Sequence, residues 1–378
     1  MIKRKISQRI ERDFRLKKIS LVLGPRQVGK TTLLEMLRSG ADPDKVLLLN
    51  CDYEQDARAF DDRNAEQLRT WLSQYDIIQI DEAQRVHDVG LTLKKIGDLK
   101  LDARIMVTGS SALELAYGVY DSAIGRVFEN RMFPFGLAEL AEANGRQREE
   151  QMLRHRLVFG MYPEVVNHYA DAETLVRNIM GSYLFKDIYT YNGMKKPDLL
   201  TKLVTALALQ VGSEVSYNEL ANTVGANKET VENYIGLLEK CFVVFRLPSF
   251  SRNQRNEIRK GKKVYFWDNG IRNAMIDAFQ PIEKRIDVGA LWENFMVSER
   301  LKRNSWQMTA TGRSYFWRTH DQAEIDYVEE VGGQLFAYDF KWNPKAKPNM
   351  PASFKKAYPD AAFSVITPEN FWSFVGDE

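Results

Sequence analysis

Cysteine is scarce in this chain of 378 residues: there are two, Cys51 and Cys241, far apart and in unlike contexts. Their scarcity excludes a disulfide framework and any zinc site built on paired cysteines, and leaves both as packed or idle thiols. Long apolar runs are missing too. No stretch approaches the ~18 residues that a membrane span needs, so no membrane role is expected. The amino terminus, MIKRKISQRIERDF, is charged throughout and lacks the continuous apolar segment of a secretory signal, which makes cytoplasmic residence the default expectation. Nor does charge of one sign dominate. The formal net charge of +2 points to no partner, although Arg246 to Lys263 carries seven Lys or Arg against one Glu. Such a stretch is either a solvated loop or a surface that meets phosphates. What is present, 28% charged and 44% hydrophobic residues, is the usage of a soluble globular protein, in a chain long enough for several cores.

The first informative stretch is ISLVLGPRQVGKTTLLEML, Ile19 to Leu37. A short apolar run ends in Gly24, Pro25, Arg26, Gln27, Val28, Gly29, Lys30, Thr31 and Thr32, and a helical pattern with Leu33, Leu34 and Leu37 follows. This is the spacing of a phosphate-binding loop between strand and helix. Its glycines let the backbone curl around phosphate oxygens with N–H groups pointing inward, at the positive end of the helix. Lys30 then reaches the terminal phosphates of a nucleotide, and Thr31 supplies a ligand to Mg²⁺. A second apolar strand, Asp76 to Ile80, ends in Asp81 and Glu82. The first of these acids is placed to hold Mg²⁺ through water, the second to orient and deprotonate the attacking water. A third strand, from Arg104, ends in Thr108, Gly109, Ser110 and Ser111, where a hydroxyl would sense the terminal phosphate. Strands interleaved with helices imply a parallel sheet with its ligand at the carboxyl ends of the strands.

Taken in order, GPRQVGKTTL, a strand ending in IDEAQR, and MVTGSSALEL followed by GRVFENRMFPFGLAEL resemble the AAA-type ATPase family found in bacteria and archaea, and the resemblance covers nearly the whole chain. It implies ATP and Mg²⁺ as cofactors and makes Ser110 or Ser111 the sensor. Arg126 becomes an arginine finger or a structural arginine, with Arg131 as its competitor. A finger acting in trans would require a homo-oligomer. The family's GG(F/Y)P turn in a helical lid is written here as Gly160, Met161, Tyr162 and Pro163, with Met161 in place of the second glycine.

Beyond the lid pattern of Leu137 to Tyr191, the positions Leu199, Leu200, Leu203, Val204, Leu207, Ala208 and Val211 keep a helical period that Gly212 ends. Ser216 with Glu219 opens a short helix, and Asn227 opens a longer one carrying Val231, Tyr234, Ile235, Leu238 and Cys241. With the apolar strands Phe242 to Leu247 and Lys263 to Trp267, this describes a winged helix-turn-helix. Its second helix exposes Lys228, Glu229, Thr230, Glu232 and Asn233, and carboxylates there repel phosphate. DNA, if it is a partner, is expected to be held by its backbone without base reading; packing of domains or subunits is the other use of such a module.

In the last third, Glu293 lies early in a helix starting near Gly289, and Asp326 lies in a strand, on the face opposite Ile325 and Tyr327. Asp339 and Lys341 then share one face of LFAYDFKW, whose Phe336, Tyr338, Phe340 and Trp342 form an aromatic wall on the other. The wall is expected against a helix and the polar face at a cleft. A helical Glu, a strand Asp and an acid-x-Lys resemble the PD-(D/E)xK nuclease-like fold, in which carboxylates bind one or two divalent ions at a phosphate and the lysine positions water. The expected architecture is therefore α/β: a P-loop AAA-type parallel-sheet core over 1–136, a helical lid over 137–194, a winged helix-turn-helix over 195–268, and a restriction-endonuclease-like α/β domain over 269–378. Two functions stay open. One couples ATP hydrolysis to a metal-dependent endonuclease with a second divalent site; the other is a nucleotide-gated switch or scaffold whose nuclease-like domain binds DNA or a protein partner without cutting.

Overall fold

The computed structural model describes residues 1–61, 63–109, 123–189, 197–251, 261–308, 312–319 and 321–376. They fall into two compact units, Met1–Phe133 and Pro134–Glu378. The expected boundaries at 194/195 and 268/269 both lie inside the second unit.

The first unit is a five-stranded parallel sheet in the order β2-β3-β4-β1-β5. Its strands are β1 (Ile19–Leu23), β2 (Val46–Asn50), β3 (Ile77–Asp81), β4 (Arg104–Gly109) and β5 (Val127–Arg131). Sequences such as ISLVL, buried at every position, are what a strand covered on both faces requires. On one face the helix Ser7–Arg15 and its N-cap residue bring Ile10 and Ile6 into a core with Val22, Val28, Leu33, Leu34, Met106 and Met132. Val28 belongs to the glycine loop, so the loop's middle is anchored from beneath by burial of an apolar side chain.

The second unit begins with the helices Leu137–Asn144, Arg146–Phe159 and Ala172–Tyr189. Between them, Gly160 at φ +75° starts the GMYP turn. A Cβ on Gly160 would stand 1.9 Å from the Asp268 carboxylate, which accepts the Met161 amide at 2.7 Å. Met161 and Tyr162 are both buried, so the turn belongs to the packing of this unit. Next come the helices Pro197–Leu209, Tyr217–Val224 and Lys228–Lys240. The last two are capped by Ser216, whose side chain accepts Glu219 N–H, and by Asn227, which accepts Thr230 N–H at 2.7 Å. A three-stranded antiparallel sheet follows in the order β6 (Glu214–Val215), β8 (Lys262–Phe266), β7 (Val244–Pro248).

The chain closes on a second α/β layer. The helix Val288–Trp306 lies by a four-stranded sheet ordered β12 (Ala362–Ile366), β11 (Gln334–Phe340), β10 (Glu324–Val331), β9 (Arg313–Arg318). β11 and β12 are parallel and the other pairs antiparallel. Two readings of this region need correction. A bulge in β10 between Ile325 and Val328 puts those two residues in one core with Trp317, Leu335, Ala337 and Phe354, whereas Tyr327 packs against Phe374 at 5.7 Å on the other side. Ile325 and Tyr327 therefore do not share a face. The face of β11 expected to open to a cleft is mostly covered as well, because Leu335 and Ala337 are buried in that core, to which the helix Ala352–Ala357 contributes Phe354. The aromatic wall does meet helices: Tyr338 and Phe340 lie 4.7 and 5.3 Å from Phe374, and Trp342 lies 5.6 Å from Trp292.

Candidate functional sites

The glycine loop leaves the carboxyl end of β1 and runs into the helix Lys30–Arg38. Gly24 passes so close to β5 that a Cβ there would stand 2.3 Å from the Met132 carbonyl. Gln27 at φ 59° and Gly29 at φ 95° turn the backbone through left-handed conformations, and Gly29 serves as the helix N-cap. The loop's amides and the helix terminus thus form one positively polarised hollow. Lys30 is buried and donates to the carbonyls of Gly24 and Pro25, both at 3.0 Å. From below, the Arg4 guanidinium donates to the Val28 carbonyl at 3.1 Å and to the Phe133 carbonyl at 2.5 Å. Nothing in the spacing of the motif signals Arg4; it is found only once the chain's first turn is seen under the loop.

Beside the hollow, Thr31 Oγ1 donates to Asp81 Oδ2 at 2.7 Å, and Thr108 donates to the other carboxylate oxygen. Strand register explains the meeting. β3 and β4 pair Ile80 with Val107, so the next step sets Asp81 beside Thr108. Glu82 leaves the strand at φ 52°, a left-handed conformation uncommon for a residue with a Cβ, and its N–H points to Asp81 Oδ1 at 3.2 Å. The Glu82 carboxylate accepts the Gln84 amide. Hydroxyl and carboxylate oxygens set this way are hard donors that suit Mg²⁺. Cys51 lies nearby as a buried thiol; burial, then the acids Asp56 and Asp81, push its pKa up to about 12, so it is no nucleophile.

The two arginines separate. Arg126 pairs with Asp98 at 2.5 Å, and its carbonyl accepts Ile19 N–H, which places it at the amino end of the sheet, roughly 13 Å of strand away from the loop. Arg131 pairs with Glu129 at 2.6 Å and stands opposite Leu23, where the loop begins. Ser110 and Ser111 lie outside the described residues.

In the second unit, Lys341 pairs with Asp326 and Asp339, and a residue not assigned to the site, Lys263, pairs with Glu293 and feels the charge of Asp326. Lys341 Nζ is 2.9 Å from Asp339 and 3.7 Å from Asp326. Burial pushes the Asp326 carboxyl well above its usual range, with Glu293 and Asp339 adding to the effect. Of the seven basic residues from Arg246 to Lys263, Lys263 turns inward and Arg246 bonds Glu239 and Tyr217. Arg252 to Lys260 lie outside the described residues. On the helix Lys228–Lys240, Lys228, Glu229, Glu232 and Asn233 are exposed, while Thr230 is half-buried.

The loop, the acid-ended β3 and the strand order together decide what the first unit is similar to. Residues 16–141 match the family model of an AAA domain. The rest of the chain matches two families described as domains of unknown function, DUF8612 over 150–281 and DUF4143 over 288–372. Among whole proteins, the uncharacterized protein Rv2008c of Mycobacterium tuberculosis is 24% identical over 97% of this chain and 80% of its own length. An uncharacterized protein of Haemophilus influenzae is 25% identical over 84% of this chain and 80% of its own. The AAA match and the later matches thus follow one another in a single chain. Among solved structures, the Aeropyrum pernix ORC1 protein in complex with DNA is 16% identical, over 72% of this chain and 91% of that one, at a TM-score of 0.29. Among the described residues no helix is long and apolar enough to cross a membrane.

Proposed function

We infer that the protein binds and hydrolyses ATP with Mg²⁺ in its first unit, and that the bound nucleotide controls what the second unit engages. The observation that carries this reading is the array Thr31–Asp81–Thr108 at the mouth of a glycine loop, supported by the AAA match over the same residues. In this reading the backbone from Gly24 to Gly29 cradles the phosphates, joined by the amides of Lys30, Thr31 and Thr32 at the helix start. Lys30 exchanges its two carbonyl partners for phosphate oxygens. Mg²⁺, when bound, supplies positive charge at the terminal phosphates; Thr31 would ligate it, and Asp81 would hold its water. Glu82 orients the attacking water, released from Gln84 to do so, and Ser110 or Ser111 contacts the terminal phosphate. Arg131 is better placed than Arg126 to face a nucleotide bound in its own chain. An Arg126 finger would have to act on a neighbouring copy.

For the second unit, the order of helices and strands from Pro197 to Phe266 supports a winged helix-turn-helix. The exposed carboxylates Glu229 and Glu232 favour contact with a nucleic-acid backbone away from that helix, or with a protein, over base reading in the major groove. Hydrolysis assays test the central step. Lys30→Ala is expected to lose ATP binding, and Glu82→Gln to keep binding while turnover falls by roughly 10²-fold or more. Wild-type turnover by both variants would overturn the assignment.

A further inference from the structure

Glu293, Asp326 and Asp339 are the acids a metal-dependent phosphodiesterase would turn toward a divalent ion, with Lys341 at their side. In this chain one oxygen of each is engaged by the protein itself. Glu293 Oε1 accepts from Lys263 Nζ at 2.9 Å and from the Tyr265 hydroxyl at 2.6 Å. Asp326 Oδ2 accepts Phe340 N–H at 2.8 Å, and Asp339 Oδ1 accepts from Lys341 at 2.9 Å. Among the described residues, no three His, Cys, Asp or Glu side chains are grouped so as to hold a metal ion.

Lys263 is 1% exposed, ion-paired to Glu293 and to Glu324, and its ammonium lies 5.5 Å from the centre of the Phe316 ring. The local charge is close to balanced without any metal. Glu293, Glu324, Asp326 and Asp339 face Lys263, Lys341 and Arg318, the last of these 3.8 Å from Glu324. A desolvated ammonium is held by its partners and cannot simply swing into water, and a divalent cation beside it would be repelled in the same low-dielectric pocket.

We propose that Lys263 is a resident counter-ion that occupies the place of a divalent metal in this acid cluster, so that the cluster binds neither Mg²⁺ nor Mn²⁺. The charge comes from β8 in the three-stranded sheet, whereas the acids come from the helix Val288–Trp306 and the four-stranded sheet. One ammonium therefore pairs with two of the acids, Glu293 from the helix and Glu324 from β10, and ties the two layers together. As it stands, the cluster offers no metal for cutting a phosphodiester.

Mn²⁺ binding followed by electron paramagnetic resonance tests this on the nucleotide-free full chain, with Asp81→Asn present throughout to silence the first unit. With Lys263 in place no stoichiometric Mn²⁺ should bind. Lys263→Ala, checked for folding by circular dichroism, should gain about one Mn²⁺ per chain at least tenfold more tightly, and adding Asp339→Asn should remove the gain. Lys263→Gln, which keeps most of the volume without the charge, should gain binding in the same direction, and Lys263→Arg should not. Stoichiometric Mn²⁺ on the chain that retains Lys263, lost on Asp339→Asn, would overturn the proposal. Failure of both folded neutral variants to gain binding would overturn it too. Neither outcome depends on whether the first unit hydrolyses ATP.

Discussion

Asp326 shows how one buried side chain makes stability depend on pH. Burial, with Glu293 and Asp339 alongside, holds its pKa above the unfolded value. An acid raised in this way contributes stability that is fully present below its unfolded pKa, about 3.9, and is lost as pH rises through the folded value. Asparagine keeps an oxygen for Phe340 N–H and never ionises. The melting temperature of Asp326→Asn relative to wild type should therefore be higher at pH 8 than at pH 5, and an equal difference at both would contradict the burial argument. Single residues were also where the sequence was most and least readable. Gly24, Gly29, Lys30 and Thr31 stand out because their chemistry leaves few substitutes at that spacing. Lys263 did not, since Lys262 and Lys263 look alike until the strand is packed, when the first stays half-exposed and the second is buried.

At the scale of elements, periodicity gave β1, β3 and β4 and most elements from Pro197 to Phe340, but not β2, β5 or β12, and it could not show what covers a strand. LFAYDFKW reads as an aromatic face and a polar face, yet Leu335 and Ala337 lie under the helix that carries Phe354. The bulge in β10 was equally hidden, because an inserted residue leaves no compositional mark, and it is this shift that separates Tyr327 from Ile325. The short helix Trp372–Val375 also has too few residues to show a period, although its Phe374 joins the aromatic wall. Phe374 meets Tyr327, Tyr338 and Phe340 at 5.7, 4.7 and 5.3 Å, with Arg300 at 4.9 Å from its ring. Phe374→Ala should lower stability by about 3–5 kcal/mol, read from the urea midpoint and slope, since it empties the meeting point of several rings. A loss under about 1 kcal/mol would mean that this helix is not a structural support of the sheet.

Across the whole molecule, the order of motifs along the chain was legible, because a phosphate loop, an acid-ended strand and a hydroxyl-ended strand are local patterns. Their convergence depends on register, which brings Thr108 to Asp81, and on the first turn, which brings Arg4 under the loop. The account rests on the first unit being a triphosphate site. Calorimetric titration of the nucleotide-free chain with ATP in the presence of Mg²⁺ addresses that most directly. The account predicts saturable binding of one nucleotide per chain, weakened when Mg²⁺ is withheld; a folded chain that takes up no ATP under either condition would contradict it.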